Sequence, residues 1–429
     1  MLSPDELIEA VKKHPALVAV DDFEVAVQKT RIRNQRFQNG ETGRDSSDEE
    51  LWLSLRVLYQ KRPGRSVIER FSSESINELV EGAMDSAKLS TSDPWFRLPY
   101  WPKQAQFPEA SGDFEMHEYQ SQFSRLGATP ELVQEDYSNW VTQTKLFRKS
   151  ELLQPEYLQK VHTAKFSVVG TDQGEPLWLN DFKSSSKPED FAECLEDVVE
   201  RIRATTPLGV TRTKLPVIFS PRAVTRLLPF IVPWFCSDKV RRGESIFSKS
   251  PRPMLSPILN IIDDGTLRES PFSVPFDLEG VATRAVALVN NGRVENLLYD
   301  SYEGTRENQK STGSFHRSPF EAWPKIRPTN FFVKPAQESV DLWSGVSGLW
   351  IDDFLEVGHV PGQPGKIMLR GICGPIESGE PTMTRHEIFI CIELVELLRK
   401  AVSVGNDLTY FGQFGAPSIL FDKVPLELS

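Results

Sequence analysis

Six histidines stand in the chain, His14, His117, His162, His316, His359 and His386. A zinc hydrolase of the zincin type needs two of them one helical turn apart, with a glutamate beside one to act as base on the metal-bound water. No two stand four or five residues apart. His117-Glu118 and His386-Glu387 are isolated pairs with no second histidine following, so both read as surface or core histidines. No G-x-S-x-G elbow, P-loop or G-x-G-x-x-G fingerprint is present. The paired acids Asp263-Asp264 and Asp352-Asp353 precede turn-like text, and the expectation is solvated turn acids. Arg241-Arg242-Gly243 suits a peptide carboxylate, a partner's acidic rim, or a solvated helix end. Lys310-Ser311-Thr312-Gly313 joins a charge to a glycine that permits close backbone approach. It is a contact point for peptide or partner, or a turn that fixes a β layer.

The elements that would position these groups centre on Ser273 to Arg317. Arg284 to Val289 and Val294 to Tyr299 are strand-like runs around Asn290-Asn291-Gly292, and Asn-Gly marks a type I′ hairpin. Upstream, Ser3 and Glu6 form a capping box with Pro4 in the first turn. Phe23 to Ile32 and Leu51 to Tyr59 alternate as strands, and Asn39-Gly40 is a turn. Ser75 and Glu78 cap an amphipathic helix. Asp93 to Pro108 is a Pro- and aromatic-rich crossing loop, whose Trp95, Tyr100 and Trp101 either pack or pave a groove. The spacing predicts a helix over Thr129 to Ser150, strand over Tyr157 to Gly170, a polar loop over Asp181 to Lys187 and a helix from Pro188. Val217-Ile218-Phe219 is a short buried strand running into a helix. Beyond Met254 the text is strand, turn, strand, with one helix near Leu394 to Val402. The fold class is α+β: an N-terminal α/β layer domain, 1–205, then a mostly antiparallel β domain, sheet or barrel-like, 206–429.

Pro275-Phe276-Asp277, Glu279-Gly280-Val281, the Asn-Gly hairpin, Tyr299-Asp300-Ser301-Tyr302 and Lys310-Ser311-Thr312-Gly313, in that order, resemble the signature of the TldD/PmbA family of peptidase-related proteins. The detail resembles its PmbA (TldE) branch. The likeness extends through Gly371 to Gly379, Ala401 to Leu408 and Phe411 to Ser418. The TldD branch carries a His-Glu-x-x-x-His motif at the start of the helix after the short buried strand. The matching positions here are Ser220, Pro221 and Thr225, which read as an N-cap, a first-turn proline and a threonine. The resemblance therefore implies no catalytic residue, metal ligand or cofactor in this chain, with zinc held by a TldD-like partner subunit. It implies a subunit of a heteromeric metallopeptidase that degrades unstructured peptides or trims ribosomally made precursors. The alternatives are a homodimeric peptide-binding scaffold without proteolysis and an independent hydrolase.

Bulk composition fits that class. Of 429 residues, 39% are hydrophobic and 25% charged, which suits a soluble globular protein. Sixty acids against 49 basic residues give a net charge of −11, contrary to the basic face of a nucleic-acid binder. The four cysteines, Cys194, Cys236, Cys373 and Cys391, form no C-x-x-C pair and read as buried free thiols. With no apolar leader at the N-terminus and no apolar run long enough to span a bilayer, the expected location is the cytoplasm.

Overall fold

The computed structural model describes residues 3–69, 73–99, 115–126, 132–151, 154–172, 175–189, 191–203, 211–248, 252, 254–316, 324–363, 365–382 and 386–428. The expected domain boundary at 204–207 lies outside them, as do Tyr100 and Trp101. Among the described residues no helix is long and apolar enough to cross a membrane.

The N-terminal half is built on one long sheet. It contains β1 (Asp22–Gln38), β2 (Glu41–Tyr59), β3 (Arg62–Ile68), β4 (Leu132–Arg148), β5 (Glu156–Asp172) and β6 (Glu175–Ser185), in the order β3-β2-β1-β4-β5-β6. Every neighbouring pair is antiparallel. The β1–β2 turn uses Asn39 and Gly40 at φ 48° and 86°, the two left-handed residues a type I′ turn requires. One face of the sheet base, with Val25, Val27, Leu53, Leu55 and Val57, packs on α1 (Pro4–Lys12) and α2 (Ser73–Leu89). Ser3 and Glu6 make the expected capping box on α1. Farther along, α3 (Ala192–Arg203) lays Leu195 and Val198 against Phe166 and Leu179 of β5 and β6.

Two sequence expectations fail here. Thr129 to Ser150 is no helix; its described part is strand β4. From Val133 to Val141 its buried positions fall at every second residue, Val133, Glu135, Tyr137, Asn139 and Val141. Two of those five are polar, so apolar alternation is invisible in the text. Glu135 is satisfied inside by Ser121 Oγ, Gln122 N and Tyr137 Oη. The loop expected over Asp181 to Lys187 is largely strand β6. Asp181 is buried there because Arg222 reaches it from the other half of the chain.

The C-terminal half runs through β7 (Thr211–Phe219), α4 (Pro221–Phe235), α5 (Ser237–Arg241), β8 (Ile261–Asp264), β9 (Ala285–Asn290), β10 (Arg293–Val294), α6 (Ser301–Glu307), β11 (Phe315–His316), β12 (Lys325–Ile326) and β13 (Phe331–Val333). It continues with β14 (Leu349–His359), β15 (Lys366–Glu377), β16 (Glu380–Pro381), β17 (His386–Glu393), α7 (Leu394–Arg399), β18 (Ala401–Val404), β19 (Thr409–Phe411), β20 (Phe414–Ala416) and β21 (Ile419–Leu428). Pairings run β14–β7–β21–β17–β15, with a further pairing of β15 to β14; the arrangement is mostly antiparallel, as expected, and the described residues form no closed barrel. Only the short β7–β14 pairing among these is parallel. A second sheet, β10-β9-β8-β13-β20-β19, packs on the other side of α4. The apolar stripe of α4, Val224, Leu227, Leu228 and Ile231, fills the core between them. The Asn-Gly hairpin is present, with Asn291 and Gly292 at φ 47° and 74°. Its second strand pairs only at Arg293 and Val294, after which the chain leaves to contact Cys236 and Thr312. Three cysteines are buried or half-buried; Cys391 is exposed, unlike the expectation for it.

Candidate functional site

The two halves meet over the second face of the N-terminal sheet. Alternation along β1 and β2 turns Glu24, Ala26, Ser54 and Arg56 away from α1 and α2. The segment Phe276 to Val281 covers that face: Phe276 packs on Ala26, Leu146 and Tyr157, while Leu278 and Phe315 pack on Trp52. Asp277 folds the covering segment. Its Oδ1 accepts from the backbone of Glu279 and Val281, and its Oδ2 accepts from Phe315 N. Burial and the neighbouring Glu279 hold the Asp277 carboxyl well above the usual range.

Glu279 is the next link. Its Oε1 accepts from Arg56 Nη1 at 2.7 Å and its Oε2 from Ser301 N at 2.9 Å. Arg56 also grips Glu24 through Nε and Nη2 and lies over the Phe315 ring. Ser301 N belongs to the first turn of α6, which Asp300 caps through Oδ1 to Glu303 N at 2.7 Å. The rest of α6 turns toward α5 and the crossing loop. Glu303, buried, accepts from Arg241 through Nε and Nη2. Tyr302 Oη donates to Asp93 at 2.9 Å.

These groups wall a cavity of about 390 Å³ between β2, β3 and α2 on one side and α5 and α6 on the other. Phe96, Tyr302 and Phe315 give it aromatic surface; Arg65 and Arg97 line it, as do Arg56, Arg241 and Arg242, which hold acids around it. Burial, helped by the Glu279 charge, raises the Asp300 carboxyl to about 7. Arg65 is lowered by burial and by Arg56. Cavities of this size with convergent polar groups suit a short stretch of ligand.

The sequence candidates fall on both sides of that cavity. Arg241 and Arg242 line it, although both carry acids already: Arg242 holds Asp238 at 2.6 Å and Glu244 at 3.0 Å. Lys310, Ser311, Thr312 and Gly313 do not line it. Lys310 is exposed. Thr312 Oγ1 accepts from Tyr299 N and donates to Tyr299 O, and Ser311 Oγ donates to the same carbonyl. Gly313 sits at φ 75°, where an added Cβ would lie 2.7 Å from Ala282 O. In the structure this run knits the end of the hairpin to the start of α6. Trp95 is exposed beside the cavity loop, and its neighbour Phe96 is the aromatic that reaches the wall.

Ser220, Pro221 and Thr225 open α4 as an ordinary helix start. Ser220 Oγ accepts from Ala223 N at 2.9 Å and donates to Asp352 O; Pro221 is the first helical residue. Thr225 Oγ1 donates to Arg222 O at 2.8 Å. These donors do not fit a zinc ion: the two hydroxyls are spent on backbone and the proline has no ligand atom.

One turn of α4 instead carries an ion cluster that the text did not foreshadow. Arg222 reaches Asp181 at 2.6 Å and Asp197 at 2.9 Å. Arg201 of α3 bridges Asp352 at 2.7 Å and Asp353 at 3.2 Å, and Arg226 adds a contact to Asp353 at 3.1 Å. Asp352 and Asp353 are therefore buried strand acids, not the solvated turn acids expected. Their arginines lie on α3 and α4, and in the text only the i, i+4 spacing of Arg222 and Arg226 hinted at them. Asp263 is likewise buried, in β8; Asp264 alone caps a turn, at Thr266.

Comparison with known proteins gives one consistent relation. Residues 212–427 match the model of the PmbA/TldA metallopeptidase C-terminal domain. The metalloprotease PmbA homolog of Haemophilus influenzae is 24% identical over 438 residues, covering 96% of this chain and 91% of its own. An uncharacterized protein of Methanocaldococcus jannaschii is 30% identical over 216 residues, and the match spans only about half of it, 49%, and 48% of this chain. The crystal structure of TldE from Thermococcus kodakarensis shares the fold, with a TM-score of 0.77 at 18% identity over 96% of this chain and 98% of that one.

Proposed function

Since the chain belongs to the PmbA/TldD family, and to its PmbA/TldE-like branch, we propose that it is the metal-free subunit of a heteromeric TldD/TldE-type zinc peptidase of the cytoplasm. A TldD-like partner would hold the zinc and cut unstructured peptides or ribosomally made precursors. This chain would complete the chamber and the substrate path. The observation that carries the reading is the start of α4: Ser220, Pro221 and Thr225 serve the helix, with their hydroxyls committed to backbone. Extended peptides can be held largely through their main chain, so a subunit without chemistry can still select substrates by shape.

The test is co-expression with a homologue from the same genome that carries His-Glu-x-x-x-His. Co-purification, with zinc and cleavage present only in the pair, is the expected result. Separate elution, with the homologue cleaving equally well alone, overturns the proposal. A homodimer that binds peptide without cutting it when the homologue is present would point to a scaffold instead.

A further inference from the structure

Of the five acids lining the cavity between β2 and α6, three are held by arginines and one by a tyrosine, and the fifth is informative. Glu279 is held by Arg56, Glu303 by Arg241 and Asp238 by Arg242, while Asp93 accepts from Tyr302 Oη. Asp300 lines the same cavity, uses Oδ1 as a helix cap, and has no cation paired with it among the described residues. A cap needs no charge: asparagine or serine serves as well. The carboxyl at this position is costly, since burial and the adjacent Glu279 both oppose its ionisation. A cation entering the cavity would relieve that cost. Phe96, Tyr302 and Phe315 supply aromatic surface for the aliphatic stem and the charge of such a group.

We propose that this cavity binds a cationic group of an extended peptide, an ammonium or guanidinium seated against the Asp300 carboxylate. Two sources share the chemistry: a peptide N-terminus and a Lys or Arg side chain. The inference rests on the peptide-handling reading above for its ligand class, but its test needs no partner subunit. Groups facing Asp300 come from every surrounding element. They are Glu279, Arg56 on β2, Arg65 on β3, Asp93 and Arg97 on the crossing loop, Glu303 on α6, and Asp238, Arg241 and Arg242 on α5 and at its end.

Binding of fluorescent ten-residue peptides to the full chain alone, followed by anisotropy at pH 6 and pH 8, tests the proposal. The probes are an N-acetylated peptide with one lysine, a lysine-free peptide with a free N-terminus, and a neutral N-acetylated peptide. The lysine probe should bind about tenfold tighter at pH 8 than at pH 6, because the carboxylate is then formed; the free N-terminus, partly deprotonated at pH 8, should gain about fourfold, and one of the two gains or both is expected. Which of the two does so identifies the source. Asp300→Asn, which keeps the cap, should remove that gain without lowering the thermal midpoint of unfolding. Calorimetry on the unaltered chain at pH 7, in two buffers of different ionisation enthalpy, should show about half a proton released per cationic peptide bound. Equal affinity for the neutral probe, a pH gain that survives Asp300→Asn, or no proton release overturns the assignment. Because the chain is tested alone, failure here leaves the peptidase-subunit reading standing, and failure of co-purification leaves this one standing.

Discussion

Arg56 and Glu279, 223 residues apart in sequence, meet at 2.7 Å with both side chains almost wholly buried. The guanidinium lies between Glu24 of its own sheet and Glu279 of the covering segment, so one cation serves two acids from two halves of the chain. Removing it leaves two carboxylates in a site water barely reaches. Arg56→Ala should therefore cost about 3–5 kcal/mol, the usual penalty for breaking a buried pair from one side. Arg56→Lys should recover part of it, since an ammonium cannot fork to both acids. Urea unfolding checks both, and a loss below about 1 kcal/mol for the alanine variant would mean the two acids are solvated or protonated already.

The cluster at α4 predicts an order of effects. Arg222 is well buried and holds Asp181 as well as Asp197; Arg226 is about a third exposed, and Asp353 keeps Arg201 when it is lost. Arg222→Ala should thus destabilise by about 3 kcal/mol and Arg226→Ala by no more than about 1 kcal/mol. The same urea series measures both. Equal losses would show that the cluster acts through total charge, not through particular pairs.

Asp263 gives a pH dependence of defined sign. Burial in β8 raises its carboxyl to about 8, against a cap from Thr329 N that works the other way. Between the unfolded value and about 8 the folded chain holds a proton the unfolded chain does not, so stability falls as pH rises through that window. Asp263→Asn keeps an acceptor for Thr329 N and abolishes the titration. Relative to the unaltered chain, this variant should gain stability on the order of 2–4 kcal/mol between pH 5 and pH 9. A difference that stays flat across that range would place the Asp263 carboxyl in contact with water.

How much of this was legible depends on where the polar residues sit. The capping box at Ser3, both Asn-Gly turns and the Ser220 helix start are local, and their chemistry is complete within four residues, so the text states them. Strand β4 hid because Glu135 and Asn139 occupy inward positions, where a segment that crosses the sheet near Tyr119 bonds Glu135 and accepts from Asn139 Nδ2. Asp352 and Asp353 were read as solvated for the same reason: the arginines that let them be buried lie about 130 to 150 residues away. The cavity was half visible. Its signature residues Glu279, Asp300 and Tyr302 stood out by resemblance, and Arg241 and Arg242 by type. The opposing wall from β2 and β3 depends on how the halves dock, which no local pattern encodes.

The start of α4 allows a direct trial of whether the peptidase motif can simply be restored. Ser220→His, Pro221→Glu and Thr225→His together would place the zincin residue types on this helix. Ser220 and Thr225 are both nearly inaccessible. The first change removes a cap worth about 1 kcal/mol, and the two imidazoles overfill packed sites at about 1–3 kcal/mol each. Zinc would gain two nitrogens but no arranged second shell, because Asp352, whose backbone Ser220 bonds, and Asp353 beside it are already gripped by Arg201 and Arg226. The triple variant should therefore unfold at lower urea and hold less than about a tenth of a zinc per chain after gel filtration, by elemental analysis. One tightly held zinc per chain with unchanged stability would show that the helix start is a metal cradle lacking only its ligands, and would remove the main support for a partner-dependent role.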